Sequence, residues 1–201
     1  MTERGRYIVI EGGEHVGKTT QVGLLAEQFE LFPVREPGGT KVGEQIRNIL
    51  LDNNAQRATT TDVLLHAAAR AELIDSVVNP TLDTGQHVIS DRSWISGAAY
   101  QGAQGVPLEQ IMTINQIAAG DRFTPDLLIF LSARPSRVAE RAAEVQDYYE
   151  QQSEDFHNQV FENYVNICND MGAIIIEAIS SIEEVNRKAS QQVADVIRIA
   201  D

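Results

Sequence analysis

The stretch Gly12-Gly13-Glu14-His15-Val16-Gly17-Lys18-Thr19, continued by Thr20, constrains this chain more than any other segment. It matches G-x-x-x-x-G-K-[ST], a pattern that works only when a buried strand precedes it and a helix follows. Both are present. Tyr7-Ile8-Val9-Ile10 is a continuous apolar run, and residues 17–32 place Val22, Leu25, Ala26 and Phe29 on one helical face. In such a loop the glycines let the backbone curl until successive N–H groups face phosphate oxygens, and the helix N-terminus adds partial positive charge. The chemistry is that of a nucleoside triphosphate site, with Lys18 bridging the β- and γ-phosphates and the Thr19 hydroxyl ligating Mg²⁺.

Further continuous apolar runs at 87–90, 126–131 and 173–176 read as strands covered on both faces, with a shorter one at 33–35. Helix-length segments lie at 42–51, 61–82, 108–119, 156–171 and 182–199. Strand alternating with helix predicts an α/β protein with a parallel sheet flanked by helices. No repeat or Pro/Gly-rich linker divides residues 1–201, so we expect one domain, with the polar, acidic segment 141–153 as a mobile lid.

The formal net charge of −13 opposes nucleic-acid binding, which needs a basic face to neutralise phosphates. Cys168 is the one cysteine, which rules out an intrachain disulfide. No apolar run reaches the ~20 residues of a membrane span. These features predict a soluble cytoplasmic protein with no membrane or nucleic-acid partner.

The run Val88-Ile89-Ser90-Asp91-Arg92 ends a strand with an acid and an arginine, at the end of the sheet where open α/β folds bind ligands. Asp91 is placed to help hold Mg²⁺, and the planar Arg92 fork suits a second phosphate.

Several separated segments together resemble the thymidylate kinase family. They are Ile10 through Thr20, Arg35-Glu36-Pro37-Gly38-Gly39-Thr40, Ile46-Arg47-Asn48-Ile49-Leu50-Leu51, Ala67-Ala68-Ala69-Arg70, Asp91-Arg92, and Ser96 through Ala99-Tyr100-Gln101-Gly102. The resemblance implies a P-loop NTPase-type three-layer fold with a five-stranded parallel sheet, a homodimer, and phosphorylation of dTMP by ATP with Mg²⁺. It further implies that Glu14 accepts a hydrogen bond from the sugar 3′-hydroxyl, that Arg92 grips the monophosphate and that Arg47 assists. Arg70 would bond the pyrimidine O4, Ser96 and Gln101 would line the base and its rim, Tyr100 would pack beneath the deoxyribose, and Glu36-Pro37 would wall the site.

Three departures from the family pattern stand out. The residue four before Arg70, usually a phenylalanine that stacks on thymine, is His66. The position after Ser96, usually polar, is Gly97. The lid motif reads Asp147-Tyr148-Tyr149-Glu150 and the phosphate loop carries His15, so neither supplies the usual transition-state arginine. Arg141 is our first choice of surrogate, with Arg137 or a protonated His15 as alternatives. Two other readings follow from these departures: a kinase for another deoxynucleotide or deoxynucleoside, and a catalytically impaired nucleotide-binding relic.

Overall fold

The computed structural model describes residues 3–141 and 147–198. Residues 142–146 of the expected lid, and residue 199 at the end of the last expected helix, lie outside the described residues.

Five parallel strands form one sheet in the order β2-β3-β1-β4-β5. They are β1 (Tyr7–Glu11), β2 (Phe32–Arg35), β3 (Val88–Asp91), β4 (Leu127–Ser132) and β5 (Ile174–Glu177). The helices are α1 (Lys18–Phe29), α2 (Lys41–Leu51), α3 (Thr59–Leu73), α4 (Asn79–Asp83), α5 (Trp94–Ala103), α6 (Leu108–Ala119), α7 (Pro135–Val138), α8 (Glu154–Asp170) and α9 (Ile182–Arg198).

β1 is central and apolar on both sides, as its sequence requires. Tyr7 and Val9 face a cluster with Leu73, Val78, Trp94, Ile95, Ile111, Phe130 and Tyr164. Ile8 and Ile10 face the opposite cluster, with Val22, Leu25, Ile129, Leu131, Val185 and Val193. Thus α1 and α9 cover one face and α3 to α6 with α8 the other, giving three layers.

The elements differ from the sequence expectation at three places. The helix expected over 17–32 stops at Phe29, because Glu30 takes a left-handed conformation (φ 54°) and Phe32 joins β2. The helix expected over 61–82 is broken by a π-helical stretch, Ile74–Val78. Pro80 follows it; proline has no N–H and its ring crowds the carbonyl four residues back, which a widened turn relieves. Helix α5 carried no amphipathic signal because it is submerged: Trp94 to Gln101 are all buried.

Within the β1–β3 ladder, Ile10 is level with Asp91. This register sets the phosphate loop, which leaves β1, beside Arg92, which leaves β3.

Leu25 of α1 is fully buried, whereas its neighbour Leu24 is exposed. Leu25→Ala should therefore lower the unfolding free energy by about 2–5 kcal/mol, and Leu24→Ala by less than about 0.5 kcal/mol, in urea titrations.

Candidate active site

The phosphate loop begins where β1 runs out of room for side chains. A Cβ at Gly12 would lie 2.7 Å from the Leu131 carbonyl oxygen and 2.8 Å from Val16 Cγ2, so only glycine fits. Gly17 enters α1 at φ 93°, a conformation that disfavours other residues. Lys18 is almost fully buried, and its Nζ donates to the Gly13 carbonyl across the loop (2.5 Å). Burial and then the neighbouring Arg92 lower its pKa to about 8, against the pull of Glu14 and Asp91. A bound polyphosphate would reverse that shift.

The Thr19 hydroxyl donates to Asp91 Oδ2 (2.6 Å), while Asp91 Oδ1 is buried with no hydrogen-bond partner. An orphaned carboxylate oxygen beside a hydroxyl suits a hard cation, and Mg²⁺ characteristically takes few protein ligands alongside substrate phosphates. Among the described residues no group of three or more His, Cys, Asp and Glu could chelate a metal without such help.

Arg92 is the hub. Its backbone is left-handed (φ 74°), which is uncommon for a residue with a side chain. The guanidinium extends across the phosphate loop: Nη2 donates to both Glu14 carboxylate oxygens (2.8 Å each), and Nη1 to the Gly12 carbonyl, Ser96 Oγ and Tyr164 Oη (3.1 Å each). The Tyr100 hydroxyl also donates to Glu14 (2.5 Å). Burial alone would raise the Glu14 pKa; Arg92, then Lys18 and the Tyr100 hydrogen bond, outweigh it and hold the carboxyl at about 2.

Beside this hub is a cavity of about 110 Å³, walled by Glu14, Glu36, Pro37, Arg47, His66, Arg70, Arg92, Ser96, Gly97 and Tyr100, together with Leu51, Ser93, Asp147 and Tyr149. Arg70 pairs with Glu36 (2.6 Å) and donates to Asn115. Arg47 donates to the Pro37 carbonyl (2.9 Å), just after the cis Glu36–Pro37 bond. Gln101 is the exception among the expected wall residues. It is 1% exposed and not among the residues that line the cavity; its amide lies beside Gly97, on the side where a side chain at 97 would project, and neither of its amide atoms has a partner.

A larger cleft joins this cavity to the phosphate loop. It is lined by His15, Gly17, Lys18, Thr19, Thr20, Asp91, Arg92, Arg141 and Glu150, among others. Arg141 therefore shares the phosphate cleft with Lys18, and its Nη1 donates to the Ala178 carbonyl (3.3 Å). A neighbouring recess brings Val16, Gly17, Thr20 and Arg141 together with Ala178, Ser180 and Ile182. Arg137 lines neither. The His15 imidazole meets Glu150 (3.4 Å).

Two functional groups escaped the sequence reading. Glu11 read as a strand end, yet its buried carboxylate accepts from the backbone N–H of Ser93 and Ser96 and from both hydroxyls, anchoring the first turn of α5. Tyr149 read as part of an acidic lid, yet it lines the cavity beside Arg92. The signal for it was two adjacent aromatic residues inside an otherwise polar run.

A loop of the G-x-x-x-x-G-K-[ST] pattern and an arginine-lined pocket lie side by side at one end of the sheet. That is the architecture of the P-loop nucleotide kinases. The family model described as thymidylate kinase matches residues 10–189, and the chain belongs to that family. Relatives named thymidylate kinase include one from Caldanaerobacter subterraneus subsp. tengcongensis, 35% identical over 97% of this chain and 98% of the relative. Another, from Symbiobacterium thermophilum, is 37% identical over 95% and 94%.

The Glu14–Arg92 pair should leave a pH signature. In the unfolded chain Glu14 binds a proton near its ordinary value of 4.5, and in the folded state only near 2. The pair therefore stabilises fully above pH 4.5 and loses that contribution as pH falls toward 2. The loss is on the order of 3 kcal/mol. Urea midpoints measured across this range should fall more steeply for the native chain than for Glu14→Gln; parallel profiles would contradict the assignment.

Proposed function

We propose that this chain transfers the γ-phosphoryl group of ATP to the 5′-phosphate of dTMP, giving ADP and dTDP. The observation that carries this reading is the position of Arg92 between the two sites, one face toward the phosphate loop and the other toward the cavity.

In this mechanism an oxygen of the acceptor phosphate attacks the γ-phosphorus, the bond to the β–γ bridging oxygen breaks, and ADP leaves. No side-chain nucleophile is needed. The barrier lies in bringing anions together and in the charge that moves between them, so the protein supplies position and positive charge. Lys18 holds the β- and γ-oxygens and follows the migrating charge. Arg92 holds the acceptor phosphate, exchanging its contact with Glu14 for it, and Arg47 reinforces the grip. Released from Arg92, Glu14 accepts from the sugar 3′-hydroxyl, while Tyr100 packs beneath the sugar and favours deoxyribose. Arg70 bonds O4 of the base, and Ser96 and the Glu36–Pro37 turn hold the walls. Thr19 and Asp91 would hold Mg²⁺, which when bound neutralises charge on the β- and γ-phosphates.

Arg141 takes the place of the family's lid arginine, supported by its position in the phosphate cleft. We assign residues 141–153 as the lid of a single kinase domain, and a second copy of this chain as partner. Support for the dimer comes from Ile49, Leu64, Leu108 and Ile117, exposed on α2, α3 and α6, with Ile117 83% exposed. No described helix is long and apolar enough to cross a membrane.

A coupled ADP-release assay tests the reading. The native chain should turn over with dTMP and not with ATP alone, and Lys18→Ala and Arg141→Ala should each lower kcat on the order of 10²-fold or more. Thymidine-dependent turnover would make it a nucleoside kinase. No turnover, with ATP still bound, would make it a relic. Full activity in Arg141→Ala would return the surrogate role to Arg137 or His15.

A further inference from the structure

His66 occupies the acceptor cavity where the family places a phenylalanine, and it is not alone there. Its Nε2 lies 2.8 Å from the Tyr149 hydroxyl. That hydroxyl is also 2.9 Å from both Asp62 carboxylate oxygens and receives a hydrogen bond from Arg57 Nη2 (3.3 Å). Asp62 is paired with Arg57 at 2.5 Å, and Tyr148 stacks beneath the same guanidinium (4.3 Å). Tyr149 is 7% exposed, with its ring edge-on to Tyr100 at 5.5 Å.

Proton counting fixes the rest. A phenol has one proton, and a carboxylate can only accept. The Tyr149 proton therefore goes to Asp62, and the contact with His66 is a hydrogen bond only if His66 Nε2 carries the hydrogen. The imidazole is then neutral, with a bare lone pair on Nδ1, for which the described residues supply no partner. Glu14 is engaged by Arg92 and Tyr100, the Pro37 carbonyl by Arg47, and Glu36 Oε2 by the Arg70 ion pair, while Glu36 Oε1 is buried without a hydrogen-bond partner on the Arg70 side of the wall. Asp147 Oδ1 accepts the N–H groups of Tyr149 and Glu150. Gly97 contributes no side chain.

We propose that Tyr149 and Asp62 are positioning residues that hold His66 as the Nε2–H tautomer, and that His66 Nδ1 accepts the ring N–H of an oxopyrimidine base. This makes His66 a specificity-determining residue. Thymine and uracil carry a hydrogen at N3, whereas cytosine presents a lone pair there and would set acceptor against acceptor. The inference rests on the proposed reading of the cavity as the acceptor site. The surroundings agree with a neutral ring. Burial first, and then Arg70, Arg57 and Arg92, lower the His66 pKa to about 4 despite the opposing pull of Asp62.

The test combines kinetics and NMR on the full chain. In the native protein, kcat/KM for dTMP and dUMP should exceed that for dCMP by about 10²-fold or more. In His66→Phe this ratio should fall at least about tenfold, and in Tyr149→Phe it should fall in the same direction, mainly through KM rather than kcat. Unchanged ratios in either variant would overturn the proposal. Nitrogen-15 NMR of the histidines, with His66 assigned by its absence in His66→Phe, gives an independent reading. It should show the Nε2–H tautomer, and an Nδ1 resonance that moves when dTMP binds but not when dCMP is added. The opposite tautomer, or an Nδ1 signal indifferent to dTMP, would overturn it. Absence of dTMP turnover in the native chain would count against the proposed function instead, and the NMR arm would still decide the tautomer.

Discussion

The arrangement of this molecule depends on one half-buried ion pair between two strands' ends. Arg92 follows β3, Glu14 sits in the loop after β1, and the β1–β3 register places them face to face. A guanidinium removed from water must find partners, because desolvation of an unpaired charge costs several kcal/mol. Here it finds a bidentate carboxylate, a loop carbonyl and two hydroxyls. Those partners come from the phosphate loop, α5 and α8, so a single side chain holds together the elements that must act together. The same contacts make the site chemically poised. Glu14 screens Arg92 from Lys18 while no anion is present, and an arriving phosphate can replace the carboxylate without exposing the guanidinium.

A second buried acid supports the first pair. Glu11 lies under α5 and binds the N–H groups of Ser93 and Ser96, while the Ser96 hydroxyl also meets Tyr164 and Arg92. Burial raises the Glu11 pKa, opposed by the Ser96 and Ser93 hydrogen bonds and by Arg92. The polar chain from Glu11 through Ser96 to Arg92 crosses the core between sheet and helix and fixes Tyr100 over the cavity. Buried polar networks of this kind are costly when incomplete, which ties the shape of the acceptor pocket to the stability of the fold.

Much of this was legible from residues alone. The phosphate loop announced itself because its chemistry demands fixed residue types at fixed spacing, and the buried strands because continuous apolar runs have few other uses. Arg70, Arg47 and Tyr100 are less explicit: an arginine on a helix looks the same whether it faces water or a ligand, and only the family resemblance singled them out. Helix α5 was hidden because total burial erases amphipathic periodicity. Tyr149 was hidden for a different reason. It reaches His66 and Asp62 from more than eighty positions away, and no local pattern encodes such a contact. Gln101 shows the converse, since a residue singled out by the motif is buried beside Gly97 and is not among those that line the cavity.

The central claim is that the phosphate loop and the Arg92 cavity are halves of one reaction site. Calorimetric titration with a single molecule carrying adenosine and thymidine at the two ends of a five-phosphate bridge addresses it directly. The account predicts one molecule bound per chain, with neither ATP nor dTMP able to bind afterwards. Continued binding of either nucleotide to the saturated protein would show that the two pockets do not face a common phosphate path, and would contradict it.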